Sequence, residues 1–549
     1  MEAYSPDLVW LVVISFFVAF ILSFGIGAND VANSFGTSVG AKVLTLKSAC
    51  MLATVFEIAG AVLIGYKVSD TLRKVLVDVN MYQDSEKQLI LGYLSSLGGS
   101  GAWLIIATAF RVPISGTHSI VGATIGFSLV AKGASGLKWS TLFGIVASWF
   151  ISPICSGLVS VIVYVSIRRY ILKSSNPVRN GLQALPIFYG VTIGINVFSV
   201  VEDGSKLLHL DKVPLWGSFT ISIFFGVFSA IVVYLFVVPK QHIKLSCLPS
   251  ITRVNTDDSA FHPETRTGEK GSIPNTPLKR SDDDFYILRK YDQNSHDKFE
   301  MTEITTTVSE NQKQKVDGKH TDNNNTKKSK KEKEQIGLIP NASEVPLIKI
   351  ESASSLNNGS KSPQIFQQDL EKDDGSLPRT PIENIFAFLQ ILTAIFGSFA
   401  HGGNDVSNAI GPLVAVWLIY SDGSVMQQSE TPFFILLYGG IGISVGLCLW
   451  GRNVIKTVGE DLTRITPSTG FSIELGSSMT VLLASKLGVP ISTTHCKVGS
   501  VVFVGWSSSS KEGVDWGLFK NIIFAWVITL PVSAVLSATF MYLLSIYLL

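Results

Sequence analysis

The chain has 549 residues, of which 47% are hydrophobic and 16% charged, with a mean hydropathy of +0.36 and a formal net charge of +2. So apolar a composition argues against a soluble protein of this length, and a net charge this small implies neither nucleic acid nor an acidic substrate. Five scattered cysteines (Cys50, Cys155, Cys247, Cys448, Cys496), without CxxC spacing, argue against a disulfide framework or a zinc site.

The first apolar stretch lies at about 8–26, and within it the run Leu8–Phe24 could pass for a signal peptide. No Lys or Arg precedes it, and it leads directly into a polar motif, so it reads as an uncleaved membrane helix. Further stretches near the ~20-residue spanning length follow at about 43–66, 89–110, 139–165, 184–202 and 215–238. After the middle of the chain they lie at about 384–400, 432–450, 473–487 and 520–549. Shorter Gly/Ser/Thr-rich apolar segments at about 113–131, 406–420 and 490–506 are too short or too interrupted for plain spans. They predict broken or re-entrant helices, a pattern that marks transporter binding sites when it recurs in two halves. The fold expected is an all-α polytopic membrane protein of about 12 membrane segments. Its parts are an N-terminal transmembrane block (1–239), an insert (240–383) and a C-terminal transmembrane block (384–549).

The insert differs in kind. Lys240–Arg379 holds 22 of the 44 Lys and Arg residues, including the run KKSKKEKE at Lys327–Glu334. Its low hydrophobicity predicts a mostly disordered loop. Basic residues flank the spans at Arg168, Arg169, Lys173, Arg179, Lys240, Lys244 and Arg379, whereas the N-terminus offers only Glu2 and Asp7. The positive-inside rule therefore puts the insert in the cytoplasm and both termini outside. On that topology the sequons at Asn324, Asn341 and Asn358 stay unglycosylated.

Two short motifs occur twice, in the same order. GANDVANSFG at Gly27–Gly36 and GGNDVSNAIG at Gly402–Gly411 agree at six of ten positions. VPISGTH at Val112–His118 is matched by VPISTTH at Val489–His495. Asp30 precedes Pro113 by 83 residues and Asp405 precedes Pro490 by 85, so the chain is a duplication. An odd number of spans per repeat would invert one copy relative to the other. Polar residues inside a membrane are costly and mark function by default.

Asn29, Asp30, Asn33 and their counterparts Asn404, Asp405, Asn408 supply carboxylate and amide oxygens, the ligands a hard cation takes. One carboxylate per repeat suits a monovalent ion. Capping of broken helices by these residues is the weaker reading. In the second motif, Pro113 and Pro490 suit a first helical turn, and the hydroxyls after them stand beside unpaired backbone N–H groups. Two such helix ends can enclose a tetrahedral oxyanion without an Arg. The alternative for Ser115 and Ser492 is N-capping; His118 and His495 read as interior residues. Glu57 and Glu474 are the lone acids of their spans, each either a coupling group or the partner of a buried base such as Lys486 or Arg111.

These paired motifs resemble the signatures of the inorganic phosphate transporter (PiT) family, and most closely its animal sodium-dependent branch, solute carrier family 20. The resemblance covers about 8–240 and 384–549. It implies two inverted-topology repeats and sodium-coupled symport of inorganic phosphate by alternating access across the plasma membrane, with no enzymatic step. By motif, Asn29, Asp30, Asn33, Asn404, Asp405 and Asn408 would bind sodium, and Ser115, Gly116, Thr117, Ser492, Thr493 and Thr494 phosphate. Glu57 and Glu474 resemble the family's transport-linked acids. Thr493 departs from its counterpart Gly116, so the half-sites are not equivalent. The expected partners are phosphate, sodium ions and the bilayer, with homodimerisation left open and sodium the sole metal, as a co-transported ion without other cofactors. The competing readings are a proton-coupled or metal–phosphate transporter, and a phosphate-sensing receptor.

Overall fold

The structure is a computed structural model; it describes residues 2–30, 32–202, 209–246, 250–253, 286–289, 379–456, 462–508 and 513–549. The chain divides into two compact units, Met1–Ser250 with Arg379–Leu549, and Ile251–Pro378. Of the insert beyond the helix Val238–Ser246, two short strands are described, β1 (Ser250–Arg253) and β2 (Tyr286–Arg289), which pair with each other. They are a small departure from the all-α expectation. The three sequons and the rest of the insert up to residue 378 lie outside the described residues.

The helical unit follows the apolar pattern closely. The first repeat holds α1 (Val9–Asn29), α2 (Ala32–Gly40), α3 (Leu46–Ile64), α4 (Glu86–Ala109), α5 (Gly116–Lys132) and α6 (Trp139–Ile167). Two further helices, α7 (Pro177–Val201) and α8 (Leu215–Val232), lead to the insert. The second repeat holds α9 (Pro381–Asp422), α10 (Phe433–Trp450), α11 (Pro467–Lys486), α12 (Thr493–Ser507) and α13 (Trp516–Leu548). Among the described residues nine helices are long and apolar enough to cross a membrane. The shorter α5 and α12 and the more polar α11 are not among them.

Local sequence explains the starts. Thr380-Pro381 and Thr466-Pro467 open α9 and α11: the threonine accepts from the N–H three residues on, and proline fills the first turn, where its missing N–H does no harm. Extended tips at 112–115 and 489–492, buried apart from the half-buried Val112 and Val489, join α4 to α5 and α11 to α12, and each pair packs as a hairpin. These are the re-entrant elements the sequence predicts. At each tip one residue takes a positive φ, Arg111 at 60° and Gly488 at 67°, which turns the chain.

At the first copy of the Asn-Asp motif α1 ends at Asn29 and α2 begins at Ala32; Asp30 keeps right-handed helical angles and its N–H donates to the Ile26 carbonyl at 2.7 Å, and residue 31 lies outside the described residues. At the second, the helix does not open: α9 runs unbroken for 42 residues and carries Asp405 in its interior. The glycines of the second copy are there for close packing rather than for opening. A Cβ at Gly402 would lie 2.2 Å from the carbonyl oxygen of Glu57, and one at the corresponding Gly27 would lie 1.9 Å from that of Ile443. Small residues let membrane helices approach backbone to backbone.

The repeats exchange their partners. Helix α1 packs on α10, α9 on α3, the α4/α5 hairpin on α13, and the α11/α12 hairpin on α6. At one end of the bundle Leu8, Leu89, Ile419 and Met541 share a buried cluster. There the Tyr4 N–H donates to the Tyr420 carbonyl at 2.9 Å and Lys87 Nζ to the Leu548 carbonyl at 2.6 Å. At the start of α9, Arg379 donates to the carbonyl of Lys42, just past α2, at 2.5 Å.

Candidate functional site

The exchange of partners brings the two hairpin tips together between α1 and α9, with the described motif side chains buried except for Val112 and Val489, which are half-buried. Asn29 fastens the first tip to α1. Its Oδ1 accepts from the Ile114 N–H at 2.9 Å, and its Nδ2 donates to the Val112 carbonyl and Thr108 Oγ1, both at 3.0 Å. Asn404 holds the second tip through Nδ2 to the Ile491 carbonyl, also at 3.0 Å. Two hydroxyls then tie tip to tip: Thr117 donates to the Ile491 carbonyl at 2.8 Å, and Thr494 Oγ1 lies 3.2 Å from that of Ile114.

The carboxylates sit against these tips. Asp30 accepts from the Gly116 N–H at 2.7 Å and from the Thr494 hydroxyl, across the repeat boundary, at 2.6 Å. Asp405 accepts from Thr493 of its own repeat at 3.1 Å and from Asn404 at 3.1 Å. This explains the departure at position 493. A Cβ on Gly116 would lie 2.5 Å from Asp30 Oδ2, so no side chain fits there, whereas Thr493 reaches its aspartate through its hydroxyl. Asn408 donates to Thr117 Oγ1 at 2.8 Å. The side-chain oxygens of Asn404 and Asn408 remain buried with no hydrogen-bond partner. Asn33 lies outside the residues whose side chains are described.

Ser115 and Ser492 are the N-caps of α5 and α12, accepting from the N–H groups of His118 at 3.3 Å and His495 at 3.2 Å. The two histidines form a crossed pair. His118 Nδ1 meets the Trp526 carbonyl at 3.3 Å while its ring lies 3.8 Å from that of Trp149. His495 Nδ1 meets the Trp149 carbonyl at 3.0 Å while its ring lies 3.8 Å from that of Trp526. They are interior residues as expected, but half-satisfied, since neither Nε2 has a partner.

Glu57 and Glu474 lie in a second polar cluster. Glu57 Oε1 accepts from Ser34 at 3.0 Å and Ser398 at 3.2 Å, and Ser34 Oγ also meets His401 Nδ1 at 2.9 Å. Glu474 accepts from Thr37 at 2.5 Å, Ser38 at 2.6 Å and Thr393 at 2.8 Å. The bases proposed from the sequence as partners are not these acids' partners. Lys486 pairs with Glu202 at 3.6 Å. The buried base of the hairpin that carries Glu474 is Lys497, on α12. Sequence reasoning missed Lys497 and His401. Each was detectable as a place where the repeat breaks: the counterparts, two residues after His118 and four before Asp30, are Ile120 and Ile26.

Comparison with known proteins agrees with this architecture. The family model "Phosphate transporter family" matches residues 26–537. The chain belongs to that family. The sodium-dependent phosphate transporter 1 of Rattus norvegicus is 41% identical over 97% of this chain and 95% of its own. The Homo sapiens protein of the same name is 40% identical over 97% and 96%. A solved structure described as "The sodium-dependent phosphate transporter" superposes with a TM-score of 0.69 at 31% identity, covering 98% of this chain and all of the other.

Proposed function

We propose that this protein is a sodium-coupled symporter of inorganic phosphate, acting by alternating access between two inverted repeats, and that the tip-to-tip site is where both solutes bind. One observation carries the reading. Asp30 holds two donors, the Gly116 N–H and the Thr494 hydroxyl, that an oxyanion would need. An ionised carboxylate and a phosphate cannot share them, so phosphate must displace Asp30. Sodium at Asp30 offers the carboxylate a replacement partner and frees the donors. Binding of the anion is thereby made conditional on the cation, a coupling by differential contact with two states.

In this scheme Asp30, Asp405 and the unpaired carbonyls of Asn404 and Asn408 serve sodium. The hydroxyls of Ser115, Thr117, Ser492, Thr493 and Thr494 and the Gly116 N–H serve phosphate, and Asn29 positions the first tip. No guanidinium takes part, which keeps the anion releasable. Labelled-phosphate uptake into proteoliposomes, with sodium exchanged for choline and pH varied, tests the scheme. Uptake should follow sodium; uptake driven by a pH gradient alone would replace sodium with protons.

Inversion of the repeats is supported by how the two motif helices enter the bundle. Helix α1 starts at the end where Tyr4 meets Tyr420, and α9 starts at the other end, beside Lys42. With the basic flanks facing the cytoplasm, both termini are extracellular in the plasma membrane. Peptide mass spectrometry after glycosidase treatment should find Asn324, Asn341 and Asn358 unconverted.

A further inference from the structure

The repeat relation assigns a counterpart to each member of the cluster around Glu474. His401 corresponds to Ile26, each four residues before its aspartate, and Lys497 to Ile120, each two after its histidine. Glu474 corresponds to Leu97, each 16 residues before the proline of its hairpin tip. Glu57 corresponds to Ile443, since their carbonyls meet Gly402 and Gly27 in the same way. All four counterparts belong to one hydrophobic core cluster and are at most 1% exposed. The same repeat positions are thus filled once by hydrocarbon and once by two acids, a histidine and a lysine.

Lys497 is the anomaly within that cluster. It is 0% exposed and its Nζ has no hydrogen-bond partner, in surroundings where lone ammonium groups are rarely tolerated. The acid on the helix packed against its own within the hairpin is Glu474, and among the described residues no ion pair within 4.0 Å joins the two. Both oxygens of Glu474 are bonded to hydroxyls, whereas Glu57 Oε2 has no partner. Lys497 stands three and four residues after Thr494 and Thr493, the hydroxyls that hold the two aspartates. On a helix those spacings share one face, so the ammonium is fixed to the element that carries the site.

We propose that Lys497 is a tethered cation: it supplies the counter-charge of Glu474 from within the protein, so that this acid takes no sodium ion from solution. A buried carboxylate needs a compensating charge. With the lysine built in, the cation requirement of the second half is filled in part by the chain itself, and the number of sodium ions the protein must bind falls by one. The proposal rests on the sodium reading above but concerns a group outside the tip-to-tip site.

Thermal melting of the purified full-length protein, titrated with sodium against choline, tests it without requiring turnover. The slope of stability against the logarithm of sodium concentration reports how many ions the folded state binds. Lys497→Met should melt below the wild type in choline and gain one further ion in slope, because Glu474 then recruits sodium. Glu474→Gln/Lys497→Met should return the wild-type slope and recover most of the melting temperature. It should also outmelt Glu474→Gln alone, where the ammonium is left uncompensated; that comparison stands even if Lys497→Met cannot be purified. An unchanged slope in Lys497→Met, or a double variant no more stable than Glu474→Gln, would overturn the proposal. So would loss of phosphate-dependent stabilisation in Lys497→Met at an unchanged sodium slope, which would make the lysine a phosphate ligand. Asp405→Asn in the same titration separates the two readings. If it keeps the full sodium slope, the assignment of sodium to the tip-to-tip site fails while the lysine comparison remains valid.

Discussion

The positions that the repeat relation pairs are hydrocarbon on one side, Ile26, Leu97, Ile120 and Ile443, and ionisable on the other, His401, Glu474, Lys497 and Glu57, and all eight are at most 1% exposed. The features common to both halves are those that set geometry: the caps at Ser115 and Ser492, the tip-to-tip bonds of Thr117 and Thr494, and the close approaches at Gly27 and Gly402. What differs is charge. Two duplicated halves need matching backbones to meet at one site, but nothing in packing requires the same electrostatics behind them. One member of each repeat-related pair can stay a hydrophobic support while the other is ionisable, and the ionisable set draws on both halves: Glu57 from α3 of the first, His401, Glu474 and Lys497 from the second. The contrast implies that substitutions at geometric positions act alike in both halves, and substitutions at the two members of such a pair act in opposite senses.

The largest effect should come from forcing a charge onto an apolar member. Ile120→Lys would bury an ammonium in the hydrophobic cluster that holds Leu97, where the acid of that half, Asp30, already accepts from the Gly116 N–H and the Thr494 hydroxyl, and an uncompensated buried charge costs about 3–5 kcal/mol. The variant should fail to accumulate as folded protein on size-exclusion chromatography in detergent. Leu97→Glu added to it should recover part of the loss. If Ile120→Lys is tolerated by itself, the contrast between the two sets carries no energetic weight.

Next comes the pair of aspartates. Replacing either by Asn removes a charge-assisted contact worth about 1.5–3 kcal/mol, about 10- to 150-fold in affinity. Both variants should depress sodium-driven uptake. They should differ in kind, however. Asp30→Asn weakens the competitor for the Gly116 N–H and the Thr494 hydroxyl, so phosphate binding should lose its dependence on sodium. Asp405→Asn should keep that dependence while requiring more sodium. Identical sodium dependence of phosphate binding in the two variants would refute the displacement scheme.

A smaller asymmetry is built into positions 116 and 493. Gly116→Thr pushes a Cβ to within 2.5 Å of Asp30 Oδ2, and overpacking of this kind costs about 1–3 kcal/mol. Thr493→Gly removes one hydroxyl bond to Asp405, worth about 1 kcal/mol. Melting temperatures should therefore fall further for the first exchange than for the second. Equal losses would mean that Asp30 moves away at little cost.

Much of this was legible in the sequence, for a physical reason: the apolar segments and paired motifs are local signals. Most helices follow their expected stretches, although those expected at 184–202 and 473–487 begin earlier, at Pro177 and Pro467, and those at 384–400 and 406–420 are joined in α9; the tips at 112–115 and 489–492 fall at the Pro-Ile-Ser triplets. The unbroken α9 was not legible, because glycine permits both an open helix and a close approach, and only the carbonyl of Glu57 against Gly402 decides between them. Nor was the base proposed to balance Glu474. Lys486 is nearer in sequence, but it lies one end of a helix away and meets Glu202, while Lys497 arrives through the fold of the hairpin. That Asn29 fastens a tip, rather than facing an ion with all its groups, likewise depends on contacts 79–85 residues apart in the chain.

The smallest expected effect is at the serines, where cap and ligand can be told apart. Ser115→Ala and Ser492→Ala each remove a side-chain acceptor from a helix N-terminus, costing about 1 kcal/mol, and the two losses should match because the caps match at 3.3 and 3.2 Å. Asp caps as well as Ser does, so Ser115→Asp should melt near the wild type. It would also place a negative charge where phosphate is proposed to bind. If the hydroxyl serves the anion, Ser115→Asp should therefore be stable and fail in phosphate uptake, and Ser115→Asn, a neutral cap, should transport with a raised KM for phosphate. If the serine is a cap alone, Asn and Asp should both restore uptake wherever they restore stability. Wild-type uptake by Ser115→Asp would remove Ser115 from the phosphate site and leave the threonines to hold the anion.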